Sequence, residues 1–121
     1  MTGLELIEEY DWREAFSAAE LDPAKVASIE ARCDGENDEM DWACFGQLAD
    51  GQWFVLTAGC DYTGWDCRGW GQYEAFATRE EAIMKGMDSE TRVRLLDSET
   101  AAVFGDEAER NKPARLPEET S

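Results

Sequence analysis

Asp34, Glu36 and Asp38 stand at the one, three, five spacing with which a calcium-binding loop begins, and hard divalent cations favour clustered carboxylates. The pattern does not continue. Such a loop needs glycine at its sixth position and glutamate at its twelfth, where this chain has Glu39 and Phe45. Cys33, Cys44, Cys60 and Cys67 raise zinc as a second possibility, but structural zinc sites pair their ligands two to four residues apart. These four are isolated, and there is no histidine to complete a site. Cys60 and Cys67 could meet across one loop as a redox pair; the plainer role of all four is that of small thiols in a reducing compartment. Acid–base catalysis would fall to carboxylate, cysteine, lysine or tyrosine, and no local constellation singles any of them out. The ten glycines form neither a Walker-type loop nor a dinucleotide fingerprint. The chain therefore reads as a binding protein that is not an enzyme and carries no cofactor and no metal.

Binding chemistry is better represented. In the segment D-Y-T-G-W-D-C-R-G-W-G, from Asp61 to Gly71, the rings of Tyr62, Trp65 and Trp70 alternate with glycines and with Asp61 and Asp66. Large rings in a turn-rich connection either fold back to close the core or face a partner, where tryptophan and tyrosine carry much of the binding energy. The second binding feature is charge. The 121 residues include 28 acids against 11 bases, a formal −17. Met1 to Asp41 holds 13 acids against three bases, so −10 of that charge lies in the first third. Phosphate backbones and anionic lipid would be repelled, because affinity for both comes from lysine and arginine. A Lys/Arg-rich protein surface, including one that holds nucleic acid, would be attracted. The residues expected to meet such a surface are Glu5, Glu8, Glu9, Asp34, Glu36, Asp38, Glu39 and Asp41, with Tyr62, Trp65, Asp66 and Trp70 as a less salt-sensitive anchor.

The elements that must position these groups can be read from periodicity. Leu6, Tyr10, Phe16 and Ala19 recur at helical intervals, predicting a helix over Leu4 to Ala19 in which Glu9 could pair with Arg13. Asp22 and Pro23 suit the start of a second helix, Val26, Ile29 and Cys33 supply an apolar stripe, and Gly35 supplies a stop. Trp42 to Leu48 and Gln52 to Ala58 read as strands joined at Asp50-Gly51, a favoured hairpin turn, with Gln72 to Ala77 as a third strand. Thr78 followed by Glu81 is a capping-box start for a helix to Met87. Ser89 to Leu96 fits a short helix or a fourth strand equally well. Trp12 and Trp53 fit the core, and thirteen aromatic residues suffice to build one. The expectation is a single α+β domain over 1–104: acidic N-terminal helices, a three- or four-stranded antiparallel sheet packed by a helix, and a flexible tail over 105–121. No apolar run approaches the roughly 20 residues a membrane span needs, and no signal peptide is visible, so a cytoplasmic location is expected.

The run W-F-V-L-T-A-G-C-D-Y-T-G-W-D-C, followed by a capped helix, resembles small acidic proteins of bacteriophages and other mobile elements over about Trp42 to Met87. That resemblance implies an anti-defence inhibitor of the anti-CRISPR or anti-restriction type, in which an acidic protein mimics DNA and occupies a basic groove. Those inhibitors share no diagnostic motif, so no residue is assigned from them by position. The alternative is an acidic adaptor or regulatory module whose protein partner has no connection to nucleic acid.

Overall fold

The computed structural model describes residues 1–103; the tail expected at 105–121 lies outside them. Two helices open the chain, α1 (Gly3–Leu6) and α2 (Tyr10–Ala18). Four strands follow, β1 (Val26–Cys33), β2 (Trp42–Leu48), β3 (Trp53–Cys60) and β4 (Gly69–Phe76), then α3 (Arg79–Gly86) and α4 (Ser89–Leu95). The strands form one antiparallel sheet in the order β1-β2-β3-β4. An α+β fold is what the sequence predicts.

The sheet is the middle of three layers. On one face Leu6, Trp12 and Phe16 from α1 and α2 pack with Trp42, Cys44, Phe54, Leu56, Ala58 and Cys60. On the other, Ala82, Ile83 and Met87 from the α3 end and Leu95 from α4 pack with Ala43, Phe45 and Val55. Cover on both faces explains why β2 and β3 read as nearly unbroken apolar runs rather than as alternating strands. Their connection is the Asp50-Gly51 turn, with Gly51 at φ 91°.

Two expectations change. The predicted first helix is broken after Leu6: a capping box between Thr2 and Glu5 starts α1, which ends at Leu6 with Ile7 as its C-cap, and α2 begins at Tyr10. Glu9 then turns to Arg32 rather than to Arg13, whose Nε donates to the Ile7 carbonyl exposed by the break. The predicted second helix does not form. Pro23–Lys25 make a single 3-10 turn capped by Asp22, and Val26–Cys33 is an edge strand. The reason is visible in its register. β1 slips by one residue against β2 between Val26 and Ser28 and again between Ile29 and Ala31, so Val26, Ile29 and Arg32 stand opposite Leu48, Gly46 and Cys44. Each bulge inserts a residue, and apolar side chains three apart come to share a face. That spacing imitates one side of a helix. β1 is thus the fourth strand, and Ser89–Leu95 takes the helical alternative, with Asp88 capping through the Thr91 amide at 2.8 Å.

α3 and α4 are tied by a buried cation. Arg92, 7% exposed, donates from Nε to the Ile83 carbonyl (3.0 Å) and from Nη2 to the Met84 carbonyl (2.9 Å) near the C-terminal end of α3. Open carbonyls at a helix end accept a positive charge well.

The bulged contact between β1 and β2 leaves no room at Gly46, where a β-carbon would collide with the Ser28 carbonyl oxygen and touch the Ile29 backbone. Gly46→Ala is expected to lower stability by about 1–3 kcal/mol, as overpacking of a filled interior does. Urea denaturation should show the midpoint falling; an unchanged midpoint would mean β1 moves aside freely.

Candidate interaction surface

The structure divides the twelve sequence-predicted residues by what their side chains already do. Glu5 is occupied locally: it accepts from the Thr2 amide at 2.9 Å, and this hydrogen bond holds its carboxyl below the ordinary glutamate range. Glu9 and Asp34 converge on Arg32. Glu9 binds the guanidinium through both carboxylate oxygens, one at 2.9 Å, and Arg32 holds its pKa below the usual value. Asp34 accepts from Arg32 Nη2 at 3.2 Å and from the Trp12 indole at 2.9 Å. The Arg32 guanidinium lies 5.8 Å from the Trp12 ring centre. One cation therefore joins the acidic helix segment to the acidic segment before β2. Glu8 is exposed: its amide donates to the Glu5 carbonyl (3.3 Å), and its carboxylate makes no hydrogen bond among the described residues.

From Asp34 to Asp41 the chain makes a small, pinned hairpin. The Glu36 amide donates to the Met40 carbonyl (2.8 Å), and the Asp38 amide donates to the Cys60 carbonyl at the end of β3 (2.7 Å). Asp38 takes a left-handed conformation, φ 62°, which aspartate tolerates better than most residues. At the base, Arg94 of α4 donates from Nη2 to the carbonyls of Asp41 (2.6 Å) and Asp34 (3.4 Å). Gly35 permits the closure, since a β-carbon there would strike the Met40 carbonyl. The five carboxylates Asp34, Glu36, Asp38, Glu39 and Asp41 belong to exposed residues on a backbone held at tip and base. Glu36 and Glu39 crowd each other, and Glu36 pushes the Glu39 pKa up, by a hydrogen bond first and by charge second.

The aromatic segment divides too. Trp65 is half-buried, its indole donating to Asp11 at 3.0 Å and its ring 5.0 Å from that of Trp42. Trp65 is therefore tied to the core. Tyr62, 78% exposed, stays on the surface, and Asp66 is exposed as well. Trp70 is not in the loop at all, because β4 begins at Gly69; its ring is 44% exposed. A β-carbon at Gly59 would fall on Asp41 Oδ1 and lie 2.8 Å from Trp70 Nε1, so Asp41 and Trp70 meet over that glycine. Beside them is an open polar cleft of about 340 Å³ floored by Thr57 and Gln72 and walled by Glu39, Asp41, Glu90 and Arg94. Arg94 Nε is buried with no hydrogen-bond partner among the described residues.

Glu90 and Arg94 join this surface only because Ser89–Leu95 is helical; the cap signal at Asp88 and Thr91 was the available clue. The cysteines are separate from it. Cys44 and Cys60 are buried, Cys33 is half-buried and Cys67 exposed, all as free thiols, and burial pushes the Cys44 and Cys60 pKa values up. Among the described residues no three side chains of His, Cys, Asp or Glu are grouped as a metal site requires, and no helix is long and apolar enough to cross a membrane.

The distribution of sign follows from these contacts. Of the eight bases in residues 1–103, Arg13, Arg32, Arg79, Arg92 and Arg94 are aimed at internal acceptors, Arg79 forming a two-point pair with Glu30. Lys25, Arg68 and Lys85 make no side-chain hydrogen bond or ion pair among the described residues. Of the 23 acids in the same span only Glu9, Glu30 and Asp34 are in ion pairs, and none is buried. The surface is more nearly single-signed than the composition.

The chain matches no known family model, no curated protein and no solved structure.

Asp34→Ala should cost about 1–3 kcal/mol, because it strips the acceptor from a tryptophan indole in the core, and Asp34→Asn should cost less by keeping that acceptor. Glu36→Ala should stay within about 0.5 kcal/mol. Equal effects of the three in urea titrations would refute the division between structural and free carboxylates. A pH test follows from Glu9. Its folded-state pKa is depressed, so the Arg32 pair stabilises the fold above the ordinary glutamate pKa and stops doing so as pH falls through the lowered value. The stability gap between wild type and Glu9→Gln should therefore be present at neutral pH and close in acid. A gap that widened in acid would contradict the pairing.

Proposed function

We propose that this protein binds a basic, nucleic-acid-binding surface of another protein and inhibits it by occupying the place of phosphates. The setting is that of an anti-defence inhibitor acting on a bacterial complex such as CRISPR or restriction machinery. One observation carries the reading: of eight described bases, Arg32 and Arg79 form ion pairs and Arg13, Arg92 and Arg94 donate to backbone carbonyls, while 20 of 23 described acids form no ion pair and none is buried. An exterior with so many unpaired carboxylates produces a field that steers a basic partner and repels nucleic acid.

The recognition element in this reading is the hairpin of residues 34–41. Its carboxylates stand on backbone pinned to β3 and α4, so little conformational freedom is lost on binding. Tyr62 and Trp70 add apolar contact that salt does not screen, whereas Trp65 supports the surface from beneath. Asp34 and Glu9 are better placed to hold the hairpin than to leave Arg32 for a partner.

The test is capture of partners from a bacterial lysate at low salt, elution at high salt, and competition of the captured partner by duplex DNA. The variant Glu36→Lys/Asp38→Lys/Glu39→Lys should lower capture at least tenfold and flatten its salt dependence. Capture unaffected by that variant would show that recognition lies elsewhere. Capture retained in the presence of saturating duplex would favour an adaptor with no connection to nucleic acid.

A further inference from the structure

The two edges of the sheet are built differently. β1 is irregular, with two register shifts, and the Ile29 amide on its outer side donates to the Met1 carbonyl at 2.7 Å. Bulges and covering chain are common ways of blunting an exposed edge. β4 has neither device. Its eight residues pair with β3 without a register shift, and they include no proline, no lysine and one charge, Glu74.

The alternation of antiparallel pairing identifies the groups that face outward. At the mouth of the β3–β4 connection the Asp61 amide donates to the Arg68 carbonyl, in register with the pairs that follow. Arg68 and every second residue after it therefore turn their backbone groups toward β3, and Gly69, Gly71, Tyr73 and Ala75 turn theirs away. Among the described residues no backbone group of Gly69–Phe76 makes a hydrogen bond outside the β3 ladder. The outward row is a template for another strand, and Trp70 and Tyr73, 44% and 37% exposed, flank it on opposite faces.

Charge around the row selects the occupant. On the α2 side, Asp11 accepts from the indole of Trp65, whose ring lies against Gly69, exposed Asp66 stands in the loop that leads into the strand, and α2 ends over Gly71. On the other side Glu74 rises from the strand itself and Asp41 lies against Trp70. One base, Arg68, precedes the strand. A second copy of the chain would set these carboxylates against their own kind, which disfavours self-pairing. We propose that β4 accepts an extended, basic segment of the partner protein as a fifth strand, its lysines and arginines pointing alternately to the two acidic flanks. This inference rests on the basic-partner reading above and adds the form in which the partner presents its charge.

The probe is a labelled eight-residue peptide in which pairs of lysines alternate with pairs of valines, so that lysines face both flanks, with glutamates replacing the lysines in the control, titrated into the full chain at low salt. Binding of the lysine peptide should slow hydrogen exchange at the amides of Gly71, Tyr73 and Ala75 at least tenfold. Tyr73→Pro removes an outward N–H without removing a ladder bond to β3, which edge strands tolerate, and should weaken peptide binding at least tenfold while leaving the thermal melt nearly unchanged. The wild-type exchange measurement decides the matter should that variant melt early. Lysine-peptide binding with no protection at those amides overturns strand addition and leaves the basic-partner reading intact. Equal binding of the glutamate peptide overturns the basic occupant, and no binding of either peptide overturns the proposal for β4. Protection of the same amides by concentration alone, with dimer formation, identifies a second copy as the occupant and also overturns it.

Discussion

The hairpin of β2 and β3 is covered by helices on both faces, and the rest of the structure follows from that double burial. Phe54, Leu56 and Cys44 need α1 and α2 above them; Phe45, Val55 and Ala43 need α3 and α4 below. Over β2 and β3, a sheet used in this way has little solvated face on which to present binding residues. What remains for recognition is its periphery: the turn of residues 34–41, the loop before β4, the end of the sheet beyond α4, and the edge of β4. The candidate residues other than Glu5, Glu8 and Glu9 of the helix layer collect there.

A strongly acidic chain has few cations with which to hold three layers together, and this one uses them at the joints. Arg32 joins the helix layer to the start of the acidic hairpin, Arg92 joins α4 to α3, Arg94 joins α4 to that hairpin, and Arg79 joins α3 to Glu30 on β1 while lying 5.5 Å from the Phe45 ring. Planar, multi-donor guanidinium groups suit such positions better than lysine, and all four are arginines. The two described lysines, Lys25 and Lys85, are left at the surface. Structural use of arginine and the negative exterior are thus one arrangement: each guanidinium turned inward is one fewer to neutralise the outside.

Legibility varied with how local the deciding interaction was. The Asp50-Gly51 hairpin, the strand Trp42–Leu48 and the helix begun by Thr78 were readable because their turn and cap residues act within a few positions. The stretch Val26–Cys33 was misread because two bulges shift its register and place apolar residues three apart on one face, a spacing that belongs to helices in regular structure. The break between Leu6 and Tyr10 was hidden for a similar reason. Its causes are the distant Arg32, which claims Glu9, and a buried seat for Leu6. Among the candidate residues, acidity and exposure of 34–41 were legible, whereas the inward turn of Trp65 toward Asp11, 54 positions away, was not.

By itself the sequence determined the α+β class, the absence of local catalytic and metal-binding motifs, and the excess of acid in the first third. These depend on residue type and short-range spacing, which a linear chain displays. Only the tertiary structure decided which carboxylates are structural and which are free, which rings face solvent, and that β4 rather than β1 is the open edge. Those outcomes depend on partners tens of residues apart and on strand register, and neither exists until the sheet has formed.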